Sequence, residues 1–245
     1  MYLRRPECGL ASIDGDGRCS VAAYATSLLW WYLEANVAED ILLRAVEQSV
    51  LLDGIDALEA ALGEKGTSLE AQWPGFAAWN LATGPRAAFP SDVGYWWAAL
   101  LDGVQVTAEG ESMDNTSRYE SLSARYFRVD HRGGELWLTT FGPADPLLIT
   151  VHPVASHEPD GLLAAMAGPY GLPSSGRLLL GEYAAGGIWL SISHPRADVD
   201  PIDVRIRVGE VPPTCASAPV FLWPCALAVG LVRIRARRAR GRRPR

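Results

Sequence analysis

The sequence predicts an α+β chain: an N-terminal helical subdomain, then an antiparallel β-sandwich, then one C-terminal transmembrane helix. Three observations predict it. Over residues 20–84, apolar residues recur at helical spacing between capping signals. From 104 to 208 the period becomes two, in short runs parted by Gly/Pro turns. Residues 216–232 are uncharged, and eight arginines follow them. The expected divisions are 1–102, 103–212 and 213–245.

The segment before residue 20 reads as irregular, with Asp14-Gly15-Asp16-Gly17 as a turn. A calcium loop would need an acid at the fifth position and Glu at the twelfth, where Arg18 and Ala25 stand. Ser20 suits the N-cap of a helix over 21–35. Val21, Tyr24, Ala25, Leu28 and Tyr32 share one face, and Trp30 and Trp31 widen the apolar arc, so this helix is expected to be central and largely buried. A second helix is expected over 39–51, with Ile41, Leu42, Ala45 and Val46 inward and acids at its positive end. A third, over 56–62, should stop at Gly63. Thr67-Ser68-Leu69-Glu70 reads as a capping box, with Thr67 as cap, opening a helix to Ala82 that ends at Gly84. Trp73, Phe76 and Trp79 on that helix read as core.

Alternation then marks strands at Val104–Ala108, Phe127–Val129, Leu136–Thr140, Leu147–Val151, Leu178–Leu180, Ile188–Ile192 and Val204–Val208. Residues 162–166 fit a short helix or another strand. In the last strand Arg205 and Arg207 take the wet face. Gly133-Gly134, Pro143, Pro146 and Gly186-Gly187 mark turns.

Signals for chemistry are sparse, and the site reading is catalytic none, cofactor-binding none, metal none. His152, His157 and Glu158 fall in one segment, which reads as a polar surface loop more readily than as a metal site. There is no G-x-S-x-G to place a nucleophilic Ser. Trp137 and Trp189 read first as packing against the helices. Left exposed, they would suit a glycan or peptide platform. No two of Cys8, Cys19, Cys215 and Cys225 have C-x-x-C spacing. Cys8 and Cys19 are near enough to bridge, which an extracytoplasmic location would permit.

The run 24–34 (Tyr-Ala-Thr-Ser-Leu-Leu-Trp-Trp-Tyr-Leu-Glu), then Asp56–Leu62, Thr67–Glu70 and Phe76–Gly84, resembles the region after the active site in bacterial, myxobacterial-type zinc metallopeptidases. The resemblance implies a peptidase domain whose H-E-x-x-H motif lies upstream, followed by a β-rich domain. No H-E-x-x-H occurs here, and the histidines are His131, His152, His157 and His194. The resemblance therefore implies a truncated relative without its zinc site, inactive alone. Zinc would enter only if a missing N-terminal part supplied the ligands. Met1 is followed by Tyr2-Leu3-Arg4-Arg5-Pro6, with no apolar core of a signal peptide. The expectation is that the true start lies upstream.

At the other end, 216–232 is just long enough for a membrane helix, although Pro219 and Pro224 interrupt it. The arginines, beginning with Arg233, Arg235, Arg237 and Arg238, are the positive-inside signal that places the tail in the cytoplasm and the body outside it. Cys215, apolar run and Arg cluster together resemble bacterial C-terminal sorting tails, without the Gly before the Cys. Nucleic acid is excluded as a partner by charge. Eight of the 22 basic residues lie in the tail, leaving fourteen against 28 acids before it, a formal charge of −14. The expected function is a membrane-anchored, extracytoplasmic, peptidase-like protein. The alternative is an anchored β-sandwich that binds a glycan or protein at the cell surface.

Overall fold

A computed structural model describes residues 8, 22–87, 95, 100–101, 103–153 and 166–209. They hold four α-helices: α1 (Ala22–Asn36), α2 (Ile41–Gln48), α3 (Gly54–Glu64) and α4 (Leu69–Leu81). Nine strands follow: β1 (Val106–Gly110), β2 (Met113–Tyr119), β3 (Ser123–His131), β4 (Gly134–Phe141), β5 (Leu148–Pro153), β6 (Ala167–Gly171), β7 (Gly176–Tyr183), β8 (Gly186–His194) and β9 (Ile202–Gly209). The class is α+β, as expected. Helices and strands belong to one unit that ends at Glu210.

The helices differ from expectation in which faces they bury. Among the described side chains of α1 the buried stripe is Leu29, Tyr32 and Leu33, with Leu28 and Trp30 partly buried and Trp31 left 47% exposed. Helix α2 is shorter than expected and buries only Ile41 and Ala45; Leu42 and Val46 lie exposed. An eight-residue helix buries one residue per turn here, so the wider apolar arc faces out. Helix α3 runs past Gly63 to Glu64. At α4 the cap is Ser68, whose Oγ accepts from the Ala71 N–H at 3.1 Å. Thr67 instead accepts from the Gln72 side chain at 3.0 Å. Trp73, Phe76 and Trp79 are buried, as expected.

The strands form two sheets, in the orders β1-β3-β8-β5-β6 and β2-β9-β4-β7. Among the described residues all strand pairings are antiparallel except β1 with β3, which is parallel. The expected antiparallel sandwich is therefore corrected at that edge. Strands β2 and β6 carry no alternating apolar signal, and the sequence reading did not mark them. Consecutive strands mostly alternate between the sheets, β5 and β6 being the pair that stays together.

The two sheets face each other across one core. Phe127, Val129, Ile149, Val151, Leu190 and Ile192 project from the five-stranded sheet. Leu136, Leu138, Val204, Ile206 and Val208 meet them from the four-stranded sheet. The five-stranded sheet uses its other face too. Ala124 and Tyr126 of β3 join Trp73, Phe76, Ala77 and Trp79 of α4 in a second core. The layer order is thus helices, five-stranded sheet, four-stranded sheet.

No helix among the described residues is long and apolar enough to cross a membrane. The run 216–232, expected to do so, lies outside the described residues, as do Cys19, Cys215, Arg233, Arg235, Arg237 and Arg238. The turn at 14–17, His157 and the greater part of 162–166 lie outside them too.

Candidate functional site

The four-stranded sheet has one face in the sandwich core and turns the other outward. Period two sets this directly. In β9, Val204, Ile206 and Val208 are buried, and Arg205 and Arg207 between them are exposed. In β4, Leu136, Leu138 and Thr140 point inward; Glu135, Trp137, Thr139 and Phe141 alternate with them. Arg177 and Leu179 of β7 and Asp114 and Thr116 of β2 complete the outer face.

Register arranges these side chains in rows across the strands. One row runs Leu179, Trp137, Gly209. The next runs Arg177, Thr139, Arg207, Asp114. The third runs Phe141, Arg205, Thr116. Asp114 is the electrostatic centre. Its Oδ1 accepts from Arg205 Nε at 2.8 Å, and its Oδ2 accepts from Arg205 Nη2 at 2.8 Å and Arg207 Nη2 at 2.7 Å. Hydrogen bonds from Arg205 and then Arg207 hold the Asp114 carboxyl well below the usual carboxylate range. Donating to Asp114 in turn raises the pKa of Arg205.

The Phe141 ring lies beneath both cations. The Arg205 and Arg207 guanidinium carbons are 5.2 and 5.6 Å from its centroid. Phe141 and Leu179 remain 44% and 43% exposed. The Trp137 indole is tied to Glu135 by a 2.9 Å bond and is half-buried. The face thus combines guanidiniums, two aromatic rings and aliphatic surface, the composition that protein interfaces favour.

Trp189 is placed differently. It is half-buried in the helix-facing core, with the Arg86 and Arg128 guanidiniums 4.9 and 5.8 Å from its ring. Arg86 also donates to the carbonyls of Leu81 and Val104 at 3.0 Å each, and burial lowers its pKa. The two tryptophans therefore do not form one platform. Trp189 packs toward the helices, and Trp137 stays on the open face.

His152 is not in a surface loop. It belongs to β5, is fully buried, and its Nε2 lies 3.4 Å from Ser191 Oγ. The apolar residues before it carry the strand to Pro153. Both partners are sealed from solvent, so the contact is structural. Among the described residues no group of three or more His, Cys, Asp or Glu side chains is placed to hold a metal ion. Cys8 is buried and disulfide-bonded.

No signal in the sequence pointed to Phe141 or Arg177 as site residues. The register that sets Phe141 beside Arg205, and Arg177 in the row of Arg207, pairs strands far apart in the chain.

No family model matches the chain, and no curated protein matches it. Among solved structures, the chain is similar to PliG of Aeromonas hydrophila, a periplasmic inhibitor of g-type lysozyme. Identity is 9%, with 43% of this chain and 96% of that chain covered, at a TM-score of 0.32. A mutant of the Escherichia coli PliG matches at 10% identity, 42% and 96% coverage and a TM-score of 0.28. The Salmonella Typhimurium PliG matches at 8% identity, 42% and 96% coverage and a TM-score of 0.28. At these scores the likeness is a partial overlay and nothing more.

These findings correct the resemblance to zinc metallopeptidases with a sorting-type tail. No family model, of a peptidase or of any other kind, matches the chain. The physical reason is visible in the core. Leu29, Tyr32, Leu58, Leu62, Phe76 and Trp79, which carried the resemblance, are packing residues. Helical packing patterns of this kind recur in unrelated chains.

Proposed function

We propose that this chain is a binding module that presents the outer face of its four-stranded sheet to a protein partner outside the cytoplasm. The observation that carries the reading is the juxtaposition of Arg205 and Arg207 over Phe141, beside half-buried Trp137 and exposed Leu179. Solvated sheet faces usually alternate polar residues outward. This one instead carries rings and a leucine on either side of an arginine row. A glycan partner would be expected to use stacked rings with amide and carboxylate groups, so the arginines favour protein. The disulfide at Cys8 supports an oxidising compartment. In this reading Cys8 pairs with Cys19, and residues 216–232 anchor the body with the arginine tail in the cytoplasm.

The test is a photo-crosslinking amino acid placed at Leu179 in the producing cells, with one at Glu34 as a control position. A discrete protein adduct at 179, absent at 34 and lost with Phe141→Ala together with Trp137→Ala, is the expected result. Equal adducts at both positions, or an adduct indifferent to the ring deletions, would overturn the reading.

A further inference from the structure

We propose that the arginine row of the open face binds the carboxylates of an acidic peptide segment. The inference rests on the open-face reading and adds the partner's chemistry. Each guanidinium offers five N–H donors. Arg205 spends two of them on Asp114 as a fork. Arg207 reaches only the Oδ2 oxygen, through Nε at 3.2 Å and Nη2 at 2.7 Å. Among the described residues its Nη1 group makes no hydrogen bond. Arg177 makes no ion pair among them either. Two guanidiniums therefore share one carboxylate, and Arg177 pairs with none among the described residues. Glu135, the nearest acid on β4, is engaged with the Trp137 indole.

Strands in a sheet lie about 4.8 Å apart. Arg177 and Arg207 flank Thr139 in register, so their Cα atoms are roughly 10 Å apart. A carboxylate held above the short Thr139 side chain would be reached from both sides. Guanidiniums suit that task because their planar forks match carboxylate geometry. Phe141 fixes two of the cations in place, and the intramolecular Asp114 competes with any incoming acid.

A peptide fits better than a polyuronate. Leu179 and Trp137 border the arginine row on one side and Phe141 on the other. That border asks for apolar side chains next to the acids, and a polyuronate carries none.

The experiment uses the full chain in detergent and three fluorescent probes: a decapeptide alternating Glu and Leu, its Gln/Leu counterpart, and oligogalacturonate. The Glu/Leu peptide should bind, with affinity falling as salt rises. Arg177→Ala and Arg207→Ala should each weaken it by about fivefold, the scale of an exposed ion pair. Asp114→Asn should strengthen it, because the competing carboxylate is gone. A purely structural role for Asp114 predicts the opposite sign. Equal binding of the Gln/Leu peptide, indifference to the arginine changes, or weaker binding by Asp114→Asn would each overturn the proposal. Binding of oligogalacturonate alone would replace the peptide with a glycan. If the Leu179 crosslink survives Arg177→Ala with Arg207→Ala while the peptide probe fails, the open face still binds a partner and only the acidic assignment falls.

Discussion

The indole N–H of Trp73 donates to the backbone carbonyl of Ser123 at 3.1 Å, fifty residues away. That bond joins α4 to the start of β3, at the seam between the helical layer and the five-stranded sheet. Both residues are buried, so water cannot replace either partner. Trp73→Phe should keep most of the packing and cost about 1–3 kcal/mol for the abandoned carbonyl. Trp73→Ala should cost about 3–5 kcal/mol, because a cavity is added. Urea unfolding followed by both far-UV circular dichroism and tryptophan fluorescence checks this. An unchanged midpoint for Trp73→Ala would mean that the seam contributes nothing to stability.

Two buried tyrosines should respond oppositely to loss of the hydroxyl. Tyr126 donates to the Ala77 carbonyl at 3.0 Å, and Tyr126→Phe should cost about 1 kcal/mol. Among the described residues the Tyr119 hydroxyl is buried without a hydrogen-bond partner, and its ring faces Arg125 at 5.7 Å. Tyr119→Phe keeps the ring and removes the desolvated group, so it should be neutral or stabilising. Thermal midpoints of the two variants read the contrast in one experiment.

His194 gives the fold an acid-sensitive element. It is fully buried, and among the described residues neither ring nitrogen finds a hydrogen bond of good geometry. Burial pushes its pKa below the ordinary 6.5, and nearby backbone groups, first Asp200, offset part of that. The unfolded chain therefore takes up the proton first as pH falls. Stability is full above about 6.5 and declines as pH drops toward the folded-state value. Unfolding midpoints at pH 7.5 and pH 5 should differ, and His194→Leu should reduce the difference. The Asp114 carboxyl titrates in another window. Its stabilisation is present above the ordinary 3.8 and is lost only in stronger acid.

The exposed side of α2 separates the observed burial from the expected one. Leu43 and Val46 are 58% and 56% exposed, while Ile41 and Ala45 are buried. Leu43→Gln and Val46→Gln should each change stability by about 0.5 kcal/mol or less. Ile41→Ala should cost about 2–5 kcal/mol. A large loss on Val46→Gln would restore the inward placement of Val46.

Residues 216–232 are predicted to hold the protein in a membrane. Seventeen residues rise to roughly 25 Å as a helix, a little short of a bilayer core. The stems of Arg233 and Arg235 can extend the span by snorkelling. Val229→Arg adds an insertion cost of about 2.5–3.5 kcal/mol and should shift the protein out of carbonate-washed membranes. Full-length protein that washes off as readily as a chain ending at Pro213 would remove the anchor.

Much of the architecture was legible because it repeats along the chain. The strand Val204–Val208 alternates cleanly, and its arginines stand on the wet face as read. Strand β2, Met-Asp-Asn-Thr-Ser-Arg-Tyr, was not legible. Its outward residues are polar, and Ser117 occupies an inward position, so no apolar period survives. Helix α2 misled for the opposite reason: its apolar arc is wider than the surface it covers. The candidate site was half visible. Arg205, Arg207 and Trp137 could be placed on strands from alternation alone. Their meeting with Phe141, Arg177 and Asp114 depends on pairings such as Asp114 with Arg207, which local sequence does not encode.

The alternation of strands between the two sheets has a consequence for how the chain can be divided. Strands β1, β3, β5, β6 and β8 make one sheet, and β2, β4, β7 and β9 the other. No continuous stretch shorter than nearly the whole β region contains either sheet entire. The first strand of the second sheet pairs with the last, so its closure waits for the far end of the chain. Such long-range pairing slows folding. It also means that a protease cut or gene fusion anywhere between β2 and β8 would sever both layers at once. Splitting the module for engineering should therefore yield aggregation-prone halves rather than two usable sheets.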